Sequence, residues 1–211
     1  MTRHRFFRTS QQSSPARRRV AGWALACAAA VFAGGVLPVV PAVAQGGSSQ
    51  MLERRVKAAF LYKFLGYADF PAAAFADGAS PLTIGVVGSD DMAAELARVV
   101  AGRQVRGRPV VVRTLRENEP APVHLLFVAG TDNARAARVL RGAAGATAEA
   151  PAALLTVTEC DLGLQSGSVI NFRIIEERVR FDVSLDSAER NNVKLSSRLL
   201  TVANRVVKGS S

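Results

Sequence analysis

Three runs, Leu82 to Val87, Pro109 to Val112 and Leu125 to Ala129, are too short and too continuously apolar for surface helices. They restrict the chain to folds with a buried sheet. Ser89 or Asp90 after the first run can cap a helix through Val100, and Thr131 or Asp132 after the third can cap one through about Arg141. Strand followed by capped helix is the unit of an α/β layer with a partly parallel sheet. The link from Glu117 to Pro122 is short for a parallel crossover, so the order of the middle strands stays open.

Upstream, Leu52, Val56, Phe60, Phe64 and Tyr67 recur at helical spacing, with Ala58, Leu61 and Leu65 in a second apolar row. The pattern predicts a helix buried over more than half its circumference and ending before Pro71. In the last third the period changes to two. A reversal at Glu176-Glu177 would set Ile174 against Val179, Phe172 against Phe181 and Ile170 against Val183. The other face then collects Asn171 against Asp182 and Arg173 against Arg180. Glu-Glu suits a two-residue turn poorly, so a four-residue loop in the same register is expected. Asp186 to Arg190 forms a turn or short helix, and Leu195, Leu199, Val202, Ala203 and Val206 predict a closing amphipathic helix with Arg198, Arg205 and Lys208 on or near its polar side. The expected fold is one α/β domain, a mixed sheet of about six strands flanked by helices, with a C-terminal antiparallel hairpin and amphipathic helix.

The chain opens with Arg3, Arg5, Arg8, Arg17, Arg18 and Arg19 and no acid, then an apolar run from Val20 to Val40, then Ala42-Val43-Ala44. That order describes a removable export signal over residues 1–44, cleaved after Ala44, with a periplasmic product. Pro38, Pro41 and the Ala-x-Ala site weigh against an uncleaved anchor or stable membrane insertion. Arg17-Arg18 leaves twin-arginine export open, and Cys27 lies too early in the apolar run for a lipoprotein site. Residues 45–50 read as a flexible leader and 51–211 as the working domain. Loss of the export signal, residues 1–44, removes six cations and no carboxylate, leaving 21 Lys and Arg against 17 Asp and Glu, or +4. Without a basic run interleaved with aromatics, nucleic acid is not an expected partner. Cys160 remains as the one thiol, so the domain rests on its core rather than on an intrachain disulfide.

Chemistry at residues 45–211 would have to use one histidine, His124, at the mouth of an apolar strand, where a structural role is expected. Gly163-Leu164-Gln165-Ser166-Gly167 has its serine one place late for a nucleophile elbow. One histidine and one cysteine cannot build a metal centre. Gly85-Val86-Val87-Gly88-Ser89 lacks the glycine spacing of a dinucleotide loop. No catalytic residue, cofactor or metal is therefore expected.

Val56-Lys57-Ala58-Ala59-Phe60-Leu61-Tyr62-Lys63-Phe64 followed by Phe70-Pro71 is similar to the opening helix of the YfiR-like periplasmic repressors. The resemblance resumes at Ile170-Asn171-Phe172, Arg178-Val179-Arg180-Phe181-Asp182-Val183 and Lys194-Leu195-Ser196-Ser197-Arg198-Leu199-Leu200 with Ala203. It implies a non-enzymatic repressor that binds the periplasmic part of a membrane diguanylate cyclase and lowers cyclic di-GMP and biofilm formation. A peptidoglycan-associated outer-membrane lipoprotein is implied as the partner that captures the repressor. The chain departs from family members that carry internal disulfides. Asn171, Arg173, Arg180 and Asp182, with Arg198 nearby, are the expected partner-binding patch, and a homodimer remains open. A periplasmic small-ligand module for another sensor or transporter is the competing reading, and a hydrolase using His124 and a serine is the third.

Overall fold

The computed structural model describes residues 44–119, 122–146 and 153–209, all within the compact unit Pro41–Ser211. The expected export segment otherwise lies outside the described residues, as do residues 147–152. The elements are α1 (Ala44–Tyr67), β1 (Ala68–Asp69), a 3-10 turn (Ala72–Ala74), β2 (Leu82–Val87), α2 (Asp90–Val100), β3 (Gln104–Val105), β4 (Arg108–Leu115), β5 (Leu125–Val128) and α3 (Asn133–Ala146). There follow β6 (Leu155–Thr158), β7 (Ile170–Ile175), β8 (Arg178–Ser184), α4 (Leu185–Arg190), β9 (Lys194–Leu195), α5 (Ser197–Val202) and β10 (Arg205–Val207). Among these, eight strands make one sheet in the order β10-β8-β7-β6-β5-β2-β4-β3, while β1 pairs separately with β9.

The parallel centre forms where the apolar runs lie. β2 and β5 are buried at every residue, and β2 runs parallel to both β4 and β5. Ser89 Oγ accepts the Met92 N–H at 3.1 Å to start α2, and Asp132 Oδ1 accepts the Ala134 and Arg135 N–H groups to start α3. β4 differs from expectation. Its strand is longer than Pro109 to Val112 and only half-buried, because β3 alone lies beyond it and only at Arg108 and Pro109. The question of strand order is resolved at Gly85. A Cβ there would lie 2.6 Å from Leu115 Cδ1 and 3.1 Å from Val123 Cγ1, so the link returning from β4 to β5 uses the space that a side chain would occupy.

α1 and α2 cover one face of the sheet and α3 the other. Ala58, Leu61, Phe64 and Leu65 of α1 join Met92 and Leu96 of α2 against Ile84, Phe127, Val157, Phe172 and Phe181. Ala136, Val139 and Leu140 of α3 meet Val87, Leu126, Val128 and Cys160 opposite. Phe64 is the hub of the first layer, with ring centroids 5.8 Å from Phe60, 5.8 Å from Phe172 and 5.0 Å from Phe181. Burial of α1 is narrower than its sequence suggests, since Leu52 is 63% exposed. The helix also runs back to Ala44 through residues 45–50, rather than following an irregular leader. Residues 47–50 are exposed, so this part of the helix lies outside the core.

The hairpin has the expected register at the five pairs from Ile170↔Val183 to Ile174↔Val179, and a sixth pair, Ile175↔Arg178, extends it. Its turn is a correction: the last pair leaves only Glu176 and Glu177, with φ of 50° and 59°, the signature of a type I′ turn rather than a four-residue loop. The matched strand twist outweighs a left-handed penalty of roughly 1–2 kcal/mol per residue. The closing helix is also shorter than expected. α5 ends at Val202, and Val206, read as helical, sits in β10 pairing parallel with Val183. Asn204 donates from its backbone to Phe181 O at 2.8 Å and from its side chain to Asp182 Oδ1 at 2.7 Å, diverting the chain into the sheet.

Candidate functional site: the outer end of the closing hairpin

The five expected partner-binding residues separate into three groups. Asn171 and Asp182 are 2% and 4% exposed, so neither presents a side chain to a partner. Thr158 Oγ1 donates to Asn171 Oδ1 at 2.7 Å, beneath Gly163, where even a Cβ would collide with both groups. Asp182 accepts from Asn204 and from Arg205, the latter at 3.1 Å, and so fastens β10 to β8. Both are structural because segments outside the hairpin, the loop at Gly163 and the strand β10, cover the face that alternation alone would leave wet. Arg198 is exposed on α5, whose Leu199 enters the α1-side core, so it lies outside the hairpin's polar face.

Arg173 and Arg180 remain. They face each other across the hairpin on the side opposite Phe172 and Phe181, with Arg180 exposed and Arg173 half-buried. Arg173 reaches Asp161 at 3.4 Å, a surface pair that holds it weakly. Beside them the structure exposes Ile174 at 51% and Ile175 at 37%, with Arg178 adjacent. α1 covers the sheet as far as Phe172 and Phe181, and the two strands run on past that cover. On the outer face the result is a mixed patch of Ile175 with Arg173, Arg178 and Arg180, the composition expected of a surface that binds and releases, while Ile174 is exposed on the opposite face beyond the reach of α1. Ile174-Ile175 carried the missed signal: two consecutive apolar residues in a strand must place one on the polar face.

His124 is held as a structural residue. The Thr83 N–H donates to Nδ1 at 3.1 Å, so Nδ1 is unprotonated and Nε2 carries the proton toward Ala74 O at 3.1 Å. Phe75 stacks on the ring at 4.6 Å and Phe70 meets it edge-on at 5.7 Å. Burial pushes its pKa below the ordinary value, opposed by the Ala74 bond and assisted by Arg108. An unfolded chain takes up this proton at about pH 6.5, whereas the folded chain takes it up only at lower pH. Stability is thus complete above that value and falls as the pH drops through and below it. Urea unfolding from pH 7.5 to 5 should show this slope, and His124→Gln, which keeps a donor and an acceptor, should flatten it.

A second polar cluster lies where β2, β5 and β6 end. Buried Lys57 of α1 pairs with Glu53 and, at 2.6 Å, with Glu159, whose other oxygen accepts the Gly130 N–H at 2.6 Å. Burial would lower the Lys57 pKa, but the two carboxylates, Glu159 above all, hold it above its ordinary value. Lys57, Glu53, Glu159, Ser89 and Phe127 border a cavity of about 200 Å³. The position was legible in α1, since Lys57 lies on the row of Leu61, Phe64 and Ala68. Cys160 is buried against α3, and burial raises its pKa, the reverse of a reactive thiol. Among the described residues, no group of three or more His, Cys, Asp or Glu could hold a metal, and no helix is long and apolar enough to cross a membrane.

Residues 54–204 match a family model described as YfiR/HmsC-like. Among solved structures the chain is similar to a conserved domain protein from Vibrio cholerae O1 biovar El Tor strain N16961, at 10% identity and a TM-score of 0.47. The match covers 73% of this chain and 60% of that one. No curated protein matches.

Proposed function

The chain belongs to the YfiR/HmsC-like family, and from that premise we propose that it is a periplasmic regulator, acting by binding rather than catalysis, that represses a membrane diguanylate cyclase through the cyclase's periplasmic sensory region. The family match over residues 54–204 carries this reading. Two features of the site support it. His124, the one histidine after the leader, is committed to two backbone partners, and the hairpin end offers a mixed apolar and cationic patch. Release of repression by a peptidoglycan-associated outer-membrane lipoprotein follows the same reading, as does export with cleavage after Ala44.

Deleting the gene should raise cyclic di-GMP and biofilm formation. Crosslinking from the periplasmic side should capture a membrane protein that carries a cyclase domain. Unchanged cyclic di-GMP together with no such partner would refute the proposal.

The cavity beside Lys57 and Glu159 favours a second reading, a small-ligand module, because open α/β sheets hold ligands beyond their strand C-termini. A metabolite that raises the melting temperature of the native protein, but not of the Glu159→Gln variant, would support it.

A further inference from the structure

We propose that the outer edge of β4, Val111 to Leu115, is a docking strand that takes an extended acidic segment of a partner protein as an added strand. β3 covers only Arg108 and Pro109, and the Val110 N–H is taken by Arg103 O at 3.3 Å. That bond shows that Val110 points its backbone groups away from β2. Alternate residues of a strand share an edge, so Val112 and Thr114 point theirs outward as well. Along Val111 to Leu115 β4 pairs with β2 alone, on its other edge, and no turn or loop carbonyl among the described residues takes either N–H. Pro109, Val111 and Arg113 are exposed on one face beside this edge, with Val111 at 38%.

Charge identifies the occupant. From Arg98 to Arg116 there are six arginines and no Asp or Glu. Arg98 and Arg106 pair with Glu95 and Asp69, Arg108 bonds Asp77 O and Ser80 O, and Arg103 lies 5.3 Å from the Tyr62 ring. Arg113 and Arg116 make no ion pair among the described residues. Glu117 is occupied by Arg135 and Arg138, and Glu119 accepts the Arg116 backbone N–H. A second copy of β4 would bring arginine and no carboxylate to this edge, whereas an acidic strand would set carboxylates on one face against Arg113, with Arg116 just past the end of β4 adding to the same field. The same cations guard the edge against unselective pairing. Strand addition of this kind takes affinity from main-chain bonds and selectivity from side chains. The inference does not depend on which membrane protein the chain regulates.

The test uses the purified exported protein and two peptides of about ten residues, one alternating Glu with Val and the other Lys with Val. The acidic peptide should slow hydrogen exchange at the Val112 and Thr114 amides and bind at least about tenfold more weakly in roughly 0.5 M salt or to the Arg113→Glu/Arg116→Glu variant. Thr114→Pro loses only an outward N–H, so it should melt as the native chain does and yet not bind. Failure of the acidic peptide to bind, equal binding of the lysine peptide, or full binding to a folded Thr114→Pro variant would each overturn the proposal.

Discussion

Replacing Phe64 by alanine is expected to remove about 3–5 kcal/mol of folding stability, the range for emptying a large aromatic site in a close-packed core. The ring is 1% exposed and stands at the centre of four phenylalanines contributed by α1, β7 and β8, elements more than 100 residues apart in the chain. Leu61, Leu65, Phe172 and Phe181 are each fixed by their own burial, which leaves half-buried Phe60 as the one neighbouring ring with room to shift toward the vacated space. Against a total stability of roughly 5–15 kcal/mol, the loss should lower the melting temperature by on the order of 10 °C. Thermal and urea unfolding of the purified domain measure it, and Phe64→Leu should lose much less. A loss below about 1 kcal/mol for the alanine variant would contradict the packing of α1 on the hairpin.

Changing Arg173 and Arg180 together to glutamate should relieve repression as fully as deleting the gene does. Both side chains stand on the hairpin's outer end, and reversing charges at a complementary interface costs several kcal/mol, at least about a hundredfold in affinity. The fold should tolerate the change, because one like-charged cross-strand pair replaces another and the one ion pair lost among the described residues is the exposed one to Asp161. Intracellular cyclic di-GMP and periplasmic abundance must be measured together. A double variant that is present at normal levels and still represses would remove the hairpin end as the binding surface. Asp182→Ala is the contrasting change: it leaves Asn204 and Arg205 without their acceptor, so any relief should follow loss of the folded protein.

The hairpin shows how far pattern reading reaches. Period two placed five of the six cross-strand pairs, from Ile170↔Val183 to Ile174↔Val179, because sliding the register by one would drive Phe172 and Phe181 into the polar face. The turn followed different physics. Local preference disfavours glutamate at positive φ, yet the pairing of Ile175 with Arg178 leaves two residues to reverse the chain. At the C-terminus helical periodicity ran through Val206, but the bonds from Asn204 to Phe181 and Asp182 set a strand instead. A helix of that length without a deep apolar partner gains little, whereas β10 pairs with Asp182 to Ser184 on the side of β8 away from β7.

Periodicity and capping chemistry alone determined the buried strands β2 and β5, the starts of α2 and α3, and the two faces of the hairpin, since each depends on residues within one turn or one strand of each other. What covers each face was decided by the tertiary structure. The Cys160–Ser168 segment seals Asn171, β10 seals Asp182, and nothing among the described residues covers Ile174 or the outer edge of β4. Burial is a property of segments brought together across the chain, and alternation along one strand states which way a side chain points but not what it meets.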